Sequence, residues 1–378
     1  MTIRFFKPPV GPNSVKYALE TLETGNTPGD NPFTFRVNDW FKEKIGMHAT
    51  YVVTSGTHAL ELACFALDVK PGDEVIMPSF TFAATANAVA IRGGICVFVD
   101  IRPDTMNIDE NLIEAAITDK TVGIIPIDYA GIPAEMDTIN AIAKKHGLWV
   151  VVDAAQSLMS TYKGRPVGSL ADMSCISFHG TKNFSMGEGG ALTIADEKHA
   201  FTAERIRENG TNRQRYIRGE LDKYTWDAVG SSYLGSDTAA ANLFGQLEVA
   251  DEITQNRVDA WNYYAEKLKP LEDKGLIELQ KIPEYATGNG HIFYFKTNDV
   301  DTRTELLYQM QEAKIGAMSH YVPLHSCPAA KEHARFVGED KYTTTESEKL
   351  VRLPIYYQIS KEDLDTVIAK VYEFYEGK

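Results

Sequence analysis

The chain has 378 residues, of which 44% are hydrophobic and 24% are charged, and its formal net charge is −14. A chain of this length can bury a substantial core, and one large and one small domain is the natural division. The acidic balance argues against a nucleic-acid-binding protein, which needs a basic face. It does not exclude an anionic small ligand, because a few local donors can hold a phosphate in an acidic protein.

The first residues, MTIRFFKPPVGPNS, lack the apolar stretch of a signal peptide. No apolar run reaches the roughly 18 residues that a membrane helix requires. We therefore expect a cytoplasmic protein without a membrane span. The cysteines, Cys64, Cys96, Cys175 and Cys327, are far apart and form no CxxC motif, so the sequence predicts neither a disulfide framework nor a metal site.

Between about residue 50 and residue 200, short apolar runs rich in β-branched residues alternate with helical segments. YVVT is followed by an amphipathic stretch at 57–67, and VGIIPI is followed by a helical segment at 137–146 and then by LWVVVD. Such alternation is typical of a mostly parallel sheet that is covered on both faces. We therefore predict an α/β fold for this part of the chain.

Residues 240–267 are predicted to form one long helix. Their apolar side chains Leu243, Leu247, Ala250 and Ile253 recur at intervals of three or four residues, which is the helical period. Such a helix would connect a large domain to a smaller one.

The tail after Lys281 mixes strand and helix patterns. HIFYFK is strand-like, residues 302–313 are amphipathic, and a final helix is predicted at 361–375. This mixture indicates a small α+β domain. The predicted domains are residues 1–250 (large) and residues 251–378 (small).

The region from Trp149 to Gly190 carries the clearest chemical signal. WVVVDAAQS places Asp153 at the end of a buried strand, the edge of an α/β sheet where ligands bind, although a carboxylate there can equally cap a helix. CISFHGTKNFSMGEGGALTIA then holds a strand, Lys182, a Gly-rich turn and another strand. A single lysine in such a loop is ordinarily a surface residue.

Three features taken together favour the chemistry of pyridoxal phosphate (PLP) over separate structural roles. This cofactor needs a lysine that carries it and an acid opposite its pyridine nitrogen. Lys182 and Asp153 are of the required types. The cofactor also needs a phosphate cradle, and the Ser-Gly-Thr sequence at 55–57, at a strand-to-helix turn, supplies one.

Several motifs resemble those of the sugar-nucleotide aminotransferases, which are PLP enzymes of fold type I, the fold of aspartate aminotransferase. They are SGTHAL, PSFTFAATANA, DAAQS, SFHGTKN, EGGAL and HYVPLH, and the resemblance runs from near residue 8 to the C-terminus. Within the family, the branch that makes dTDP-4-amino-4,6-dideoxygalactose is the most similar. That similarity rests on PGDEVIMPS, IRPDTMNID, AAITDKT, STYKGR, DKYTW, GSSYL and RLPIYY.

The resemblance implies a large domain with a mixed, mostly parallel sheet and a small C-terminal α+β domain. It also implies that the amino group of L-glutamate is transferred to a dTDP-4-keto-6-deoxyhexose, giving dTDP-4-amino-4,6-dideoxygalactose and 2-oxoglutarate. The product would serve surface polysaccharides such as lipopolysaccharide or enterobacterial common antigen. The family resemblance further implies a homodimer with shared active sites.

Three alternatives remain open at this point. One is an aminotransferase that acts on another keto sugar nucleotide, with a different carbon, stereochemistry or base. A second is the sugar dehydratase branch, in which a histidine replaces the cofactor lysine, so that Lys182 argues against it. The third is a non-catalytic regulatory protein of the same fold, against which Lys182, Asp153 and Gln156 together speak.

The resemblance assigns roles to individual residues of the cofactor site. Lys182 would carry the cofactor, Asp153 would pair with the protonated ring nitrogen, and Gln156 would contact the ring hydroxyl. Phe82 would stack on the ring face, unless it packs into the core. The residues that would hold the phosphate are Gly56, Thr57 and Ser177.

Further residues are expected at the site, one towards the cofactor and the others towards the substrate. Ser232 is the cofactor-binding candidate: it lies in GSSYLGSD, where relatives often carry an asparagine that reaches the cofactor phosphate of the neighbouring subunit, and a serine can still donate there but reaches less far. His320, Tyr321 and His325 of HYVPLH would border the substrate, although a lone His325 is equally well structural. Arg213, in the basic NRQRYIR, would meet a diphosphate, unless this stretch is a solvated loop. No arginine stands out as a clamp for the carboxylate of the amino donor.

Overall fold

The computed structural model describes residues 2–377. In that part of the chain no helix combines the length and the apolar character that crossing a membrane requires. The α-helices are α1 (Ser14–Thr24), α2 (Pro32–Ile45), α3 (Gly56–Ala66), α4 (Ala83–Ala90), α5 (Glu110–Ala116), α6 (Met136–His146), α7 (Glu197–Arg207), α8 (Arg213–Ile217), α9 (Asp237–Leu247), α10 (Ala250–Asp273), α11 (Val300–Glu312), α12 (Ala330–His333), α13 (Thr343–Lys349) and α14 (Lys361–Glu376).

The strands form one large sheet and two small ones. They are β1 (Ala49–Val53), β2 (Glu74–Pro78), β3 (Ile95–Val99), β4 (Thr121–Ile124), β5 (Trp149–Asp153), β6 (Thr161–Tyr162), β7 (Arg165–Pro166), β8 (Met173–Ser177), β9 (Gly190–Ile194), β10 (Ile277–Leu279), β11 (Ala286–Thr287), β12 (Phe293–Thr297), β13 (Ala334–Phe336) and β14 (Leu350–Leu353). The orders are β1-β9-β8-β5-β4-β2-β3-β13 in the large sheet, and β10-β12-β14 and β11-β6-β7 in the small ones.

The large sheet confirms the predicted mixed, mostly parallel α/β architecture. Strands β13, β3, β2, β4, β5 and β8 run parallel to one another, whereas β9 is antiparallel to both β8 and β1. The central strands are buried on both faces, and two core clusters cover the two faces of the sheet. Burial on both faces explains why these strands read as continuous apolar runs.

The C-terminal part of the chain builds a second core around the antiparallel β10-β12-β14 sheet, with α10, α11 and α14 packed against it. Two segments cross the predicted division at residue 250. Ile3, near the N-terminus, is buried in this second core and bridges to Ile315, while β13 at 334–336 pairs with β3 of the large sheet. The two-domain division therefore stays a prediction.

The prediction of one helix over residues 240–267 is wrong, because α9 ends at Leu247 and α10 begins at Ala250. The break lies at Val249, whose φ of −120° and ψ of 30° are not helical. Leu247, Ala250 and Ile253 are all buried in the same core cluster. Their spacing indicated a shared buried face, and that face continues from α9 into α10 across the break.

Candidate active site

The carboxyl ends of the large sheet open into a cavity of about 1080 Å³. Its walls come from the turn after β1, the end of β5, the loop between β8 and β9, and the segment 318–323 beside the β10-β12-β14 sheet. Asp153 and Lys182 both line this cavity, as the sequence predicts for a ligand site at this edge of the sheet.

Lys182 lies in the loop between β8 and β9, which is tied down on both sides. The backbone N–H of Phe178 donates to the carbonyl of Gly189 at 2.8 Å and closes the base of the loop. Gln246 of α9 uses both ends of its amide on the backbone of Ser185, accepting from its N–H at 2.8 Å and donating to its carbonyl at 2.8 Å. The loop thus holds Lys182 at the cavity wall through buried polar contacts.

The side chain of Lys182 is partly buried, and the pKa of its amine is lowered. Burial lowers its pKa from the usual 10.5 to about 8, the charge of Arg352 acts in the same direction, and the charge of Asp153 opposes both. A lysine with such a pKa is present in substantial part as the neutral, nucleophilic amine near pH 8. A surface lysine would be almost fully protonated there.

Asp153 is a buried carboxylate at the end of β5. It accepts hydrogen bonds from the Thr85 hydroxyl at 2.7 Å and from the Ala155 N–H at 3.2 Å. Burial raises its pKa, while these two hydrogen bonds and the charge of Lys182 act against that rise. No helix follows Asp153 directly, because the chain enters a series of turns. The alternative reading of Asp153 as a helix cap is therefore wrong.

The turn between β1 and α3 offers backbone N–H groups that suit an anion. Ser55 caps the helix by accepting from the His58 N–H at 3.0 Å, and the N–H groups of the first helical turn have no acceptor within the helix. A Cβ added at Gly56 would lie 2.8 Å from the Cβ of Ser177, and one added at Gly190 would lie 2.6 Å from the backbone nitrogen of Gly56. Three strand ends therefore pack closely around this helix N-terminus.

Phe82 and Tyr321 form an aromatic wall of the cavity. Phe82 has a relative exposure of 60%, so the alternative that it packs into the core is wrong. Its ring centroid lies 6.3 Å from that of Tyr321. Gln156 holds Tyr321 in place, because its Nε2 donates to the tyrosine hydroxyl at 3.0 Å while its Oε1 accepts from the Ala130 N–H at 2.7 Å. The structure thus brings Phe82, Gln156 and Tyr321 together.

His320 extends the same wall. Its ring stacks on that of Tyr321 with centroids 3.6 Å apart, and its Nδ1 shares a hydrogen bond of 2.9 Å with the Tyr129 hydroxyl. Burial lowers the pKa of His320 well below 6.5, and the charges of Arg352 and Lys182 lower it further. His320 is therefore a neutral ring at physiological pH and adds no charge to the cavity.

His325 does not line this cavity. Its Nδ1 shares a hydrogen bond of 2.7 Å with the Ser79 hydroxyl, and its Nε2 lies 3.1 Å from the carboxylate of Asp340. Both ring nitrogens are engaged, so the expected substrate contact has no support in this geometry. The histidine instead links Ser79, directly after β2, to Asp340.

Ser232 and Arg213 also lie outside the cavity of their own chain. Ser232 is exposed and bridges to Glu208, and Arg213 pairs with the Glu208 carboxylate at 3.1 Å. Any contact of these two residues with a ligand at Lys182 would have to come from another subunit.

The sequence did not predict three residues that contact the site. Thr85 binds Asp153, Tyr129 binds His320, and Arg352 lines the cavity. Thr85 lies within PSFTFAATANA and Arg352 within RLPIYY, so the motifs contained them. A motif shows which residues occur together in the sequence but not which atoms are in contact. No other feature of the sequence marked these side chains as part of the site.

The residues present fit PLP. The amine of Lys182 can carry an aldehyde, and the buried carboxylate of Asp153 has no lysine or arginine among the described residues within ion-pair distance, so it can receive a protonated ring nitrogen. The helix N-terminus at Gly56 and the Ser177 hydroxyl would hold the phosphate, and a Cβ added at Gly56 would come within 2.8 Å of the Ser177 side chain. The aromatic ring of Phe82 provides a face for stacking.

Comparison with known proteins identifies relatives over nearly the whole chain. The GDP-perosamine synthase of Caulobacter vibrioides is 31% identical over 363 residues, which cover 94% of each chain. The UDP-2-acetamido-2-deoxy-3-oxo-D-glucuronate aminotransferase of Pseudomonas aeruginosa is 33% identical over 342 residues, or 89% of each chain. The crystal structure of NtdA from Bacillus subtilis, with bound pyridoxamine phosphate, superposes with a TM-score of 0.86 at 25% identity and covers 97% of this chain and 83% of NtdA.

The model of the DegT/DnrJ/EryC1/StrS aminotransferase family matches residues 11–372. This match spans the phosphate cradle, the Lys182 loop and the β10-β12-β14 sheet. The chain therefore belongs to the DegT/DnrJ/EryC1/StrS family of sugar aminotransferases and is a PLP-dependent transaminase.

Proposed function

We propose that the protein transfers the amino group of L-glutamate to dTDP-4-keto-6-deoxyglucose, giving dTDP-4-amino-4,6-dideoxygalactose and 2-oxoglutarate for a surface polysaccharide. The observation that carries the reaction class is the partly buried Lys182 beside the buried Asp153 in one large cavity. The sugar and the base rest on the sequence stretches from PGDEVIMPS to RLPIYY. The two relatives named above carry GDP and UDP in their names, so the experiment below varies the base.

PLP, when bound, supplies an electron sink, and it carries the amino group between the two half-reactions. Asp153 would keep a proton on the ring nitrogen, and Thr85 would fix the orientation of that carboxylate. The Nζ of Lys182 would take the proton from the α-carbon of the amino donor and deliver it to the cofactor carbon on the other side of the amino nitrogen. Its lowered pKa keeps the amine available as a base near neutral pH.

We further infer a homodimer in which Ser232 and Arg213 of one subunit reach the cavity of the other. The first helix supports this inference, because α1 leaves the apolar side chains of Val15, Leu19 and Leu22 exposed along one face. A second copy of the chain would cover such a stripe. Its Arg213 would then supply a cation for the diphosphate of the sugar nucleotide.

Product analysis tests the proposed substrate directly. The purified enzyme, loaded with PLP, would be incubated with L-glutamate and each of a panel of dTDP-, UDP- and GDP-linked keto sugars, with Lys182→Ala as the control. We expect the dTDP-4-keto-6-deoxyhexose to be aminated fastest, with the axial 4-amino galactose configuration identified by mass spectrometry and NMR. Faster amination of a UDP or GDP sugar would replace the proposed substrate and leave the reaction class intact.

A further inference from the structure

His291 lies two residues before β12 and lines the cavity, although the sequence did not predict it as a site residue. Arg257 of α10 holds its backbone, because Nη2 donates to the carbonyl of His291 at 2.9 Å and Nε donates to that of Gly290 at 3.2 Å. Gly290 has a φ of +63°, and a Cβ there would lie 2.6 Å from the backbone carbonyl carbon of Arg257. The turn before β12 is therefore packed directly on α10, and it fixes His291 at the cavity wall.

Asn289 joins this turn to two other segments of the site. Its Nδ2 donates to the carbonyls of Gln156 and Leu158, both at 2.9 Å, and its Oδ1 accepts from the N–H of His291 at 3.0 Å. Its backbone carbonyl accepts from the Nδ2 of Asn183, which follows the cofactor lysine, at 3.0 Å. The side chains of Asn289, Asn183 and His291 are all buried, so these hydrogen bonds are shielded from water.

These contacts determine which ring nitrogen of His291 carries the proton. Because Asn183 donates through Nδ2 to a carbonyl, which can only accept, its Oδ1 is the atom that faces the Nδ1 of His291, at 2.9 Å. This oxygen can also only accept, so the proton is on Nδ1. A second proton is excluded, because burial lowers the pKa of His291 well below 6.5 and the charges of Lys182 and Arg257 lower it further. His291 is therefore a neutral ring with a lone pair on Nε2.

The Nε2 of His291 is an acceptor that the chain leaves open. Within the described residues 2–377 no group donates a hydrogen bond to it, and it is not one of the buried polar atoms that solvent cannot reach. The open space beside the ring is the cavity, which the Nζ of Lys182 also lines. A mostly buried acceptor without a donor costs free energy, so a ligand that brings a donor to this place is favoured.

A lone pair at this position distinguishes between the ligand groups of the reaction. The carboxylates of L-glutamate and the phosphates of the cofactor and of the sugar nucleotide are acceptors, so Nε2 cannot bind them. The amino group of L-glutamate is taken up by the cofactor. The hydroxyl groups of the keto sugar are neutral donors, and the hydroxyl on the carbon next to the keto group lies beside the carbon to which Lys182 would deliver a proton.

We propose that the Nε2 of His291 accepts a hydrogen bond from the sugar hydroxyl next to the keto carbon, so that His291 is a specificity-determining residue for the acceptor sugar. The proposal rests on the sugar aminotransferase function proposed above. Asn183 and Asn289 are then positioning residues, because their contacts keep the proton of the ring on Nδ1 and turn its lone pair towards the cavity.

Removal of that hydroxyl from the substrate tests the contact. The keto sugar nucleotide that the wild type aminates fastest would be compared with its deoxy analogue in single turnovers of the pyridoxamine phosphate form. We expect the wild type to aminate the analogue at least about tenfold more slowly. In His291→Asn, the amide can replace Nδ1 as the donor to Asn183, but no atom stands at the position of Nε2. The two sugars should then react within about threefold of each other, and an unchanged preference would overturn the proposal.

The half-reaction with L-glutamate separates this role from a structural one. In His291→Asn its rate constant should stay within about threefold of wild type, which also shows that the variant is folded. An equal loss in both half-reactions would mean that His291 acts through the Lys182 loop, and it would overturn the proposal.

Two further variants sharpen the comparison of the two sugars. His291→Gln should keep part of the preference, because its Oε1 can reach the position of Nε2. His325→Asn is the matched control, because both ring nitrogens of His325 are engaged, by Ser79 and Asp340, outside the cavity. It should keep the full preference, and an equal loss there would contradict a specific contact of His291.

Nitrogen NMR of the protein labelled at histidine gives a readout that needs no turnover, and comparison with His291→Asn identifies the resonances of His291. We expect a protonated Nδ1 and an unprotonated Nε2, unchanged between about pH 6 and pH 8. A proton on Nε2, or a second proton gained in that range, would overturn the proposal. Failure of the wild type to aminate any keto sugar would contradict the proposed function, while the NMR result would still decide whether His291 presents an acceptor to the cavity.

Discussion

The loop between β8 and β9 and the segment from Glu208 to Ser236 both contain predicted site residues, but they are held very differently. The loop is fastened by buried polar contacts from Gln246, and its lysine faces the cavity of its own chain. The segment lies at the surface and exposes Trp226 and Val229, at 76% and 67%. The predicted site residue of the loop thus faces the cavity of its own chain, whereas those of the segment, Ser232 and Arg213, do not line it.

The strongest test of the residues that line the cavity is the variant Asp153→Asn. The amide cannot keep a proton on the cofactor ring nitrogen, so we expect turnover to fall roughly a hundredfold to a thousandfold, the range for one preorganised electrostatic group, while part of the cofactor is retained. Turnover and bound PLP would be measured on the same preparation.

Asp128→Asn is the matched control. Asp128 is also a buried carboxylate at the edge of the sheet, where it accepts from the Ser157 hydroxyl at 2.8 Å and the Ala134 N–H at 3.1 Å, but it does not line the cavity. We expect its turnover per bound PLP to stay within about threefold of wild type. Near-normal turnover in Asp153→Asn would show that its carboxylate is structural.

The pH dependence of cofactor incorporation tests the environment of Lys182. The neutral amine attacks the aldehyde of PLP, and below its pKa the neutral fraction falls about tenfold per pH unit. Because the pKa of Lys182 is lowered to about 8, incorporation into cofactor-free protein should accelerate from pH 6 to about 8 and then level off. A rate that kept rising towards pH 10 would indicate an ordinary, solvated lysine.

A pair of glycine variants tests the phosphate cradle. In Gly56→Ala the new Cβ would lie 2.8 Å from the Ser177 Cβ, so the strand end must shift, and we expect PLP to bind about tenfold more weakly. In Gly180→Ala the nearest atom is 3.8 Å away, so affinity should be unchanged although Gly180 lies two residues from Lys182. Equal PLP affinities in the two variants would contradict a phosphate site at Gly56.

The smallest expected effect concerns the segment outside the cavity. If Arg213 reaches a partner's diphosphate, Arg213→Gln should raise the KM for the sugar nucleotide severalfold, as for a partly exposed charge contact, and leave the KM for L-glutamate unchanged. Arg218→Gln is the control, because Arg218 lies in the same basic stretch but pairs with two carboxylates of its own chain, Glu204 and Glu220, whereas Arg213 pairs with one, Glu208. A rise in both KM values, or none, would place Arg213 away from the substrate.

The sequence predicted what is local and periodic. The apolar runs at 149–153 and 173–177 are buried strands, and Asp153 follows from the first of them. The sequence did not predict the pairing of β13 with β3 or the break at Val249, because strand partners and backbone angles depend on packing between distant segments. The contacts of Arg352 and His325 depend on the same long-range packing, so they became visible only in the fold.

Borohydride reduction of the PLP-loaded protein, followed by peptide mapping, tests the central claim most directly. Reduction fixes the cofactor on the lysine that carries it. We predict a single labelled peptide that contains Lys182, and no label at that position in Lys182→Ala, which should also lose transamination. A label on Lys163, which is paired with Asp137 at the surface, or on the exposed Lys223, or normal turnover in Lys182→Ala, would contradict the assignment.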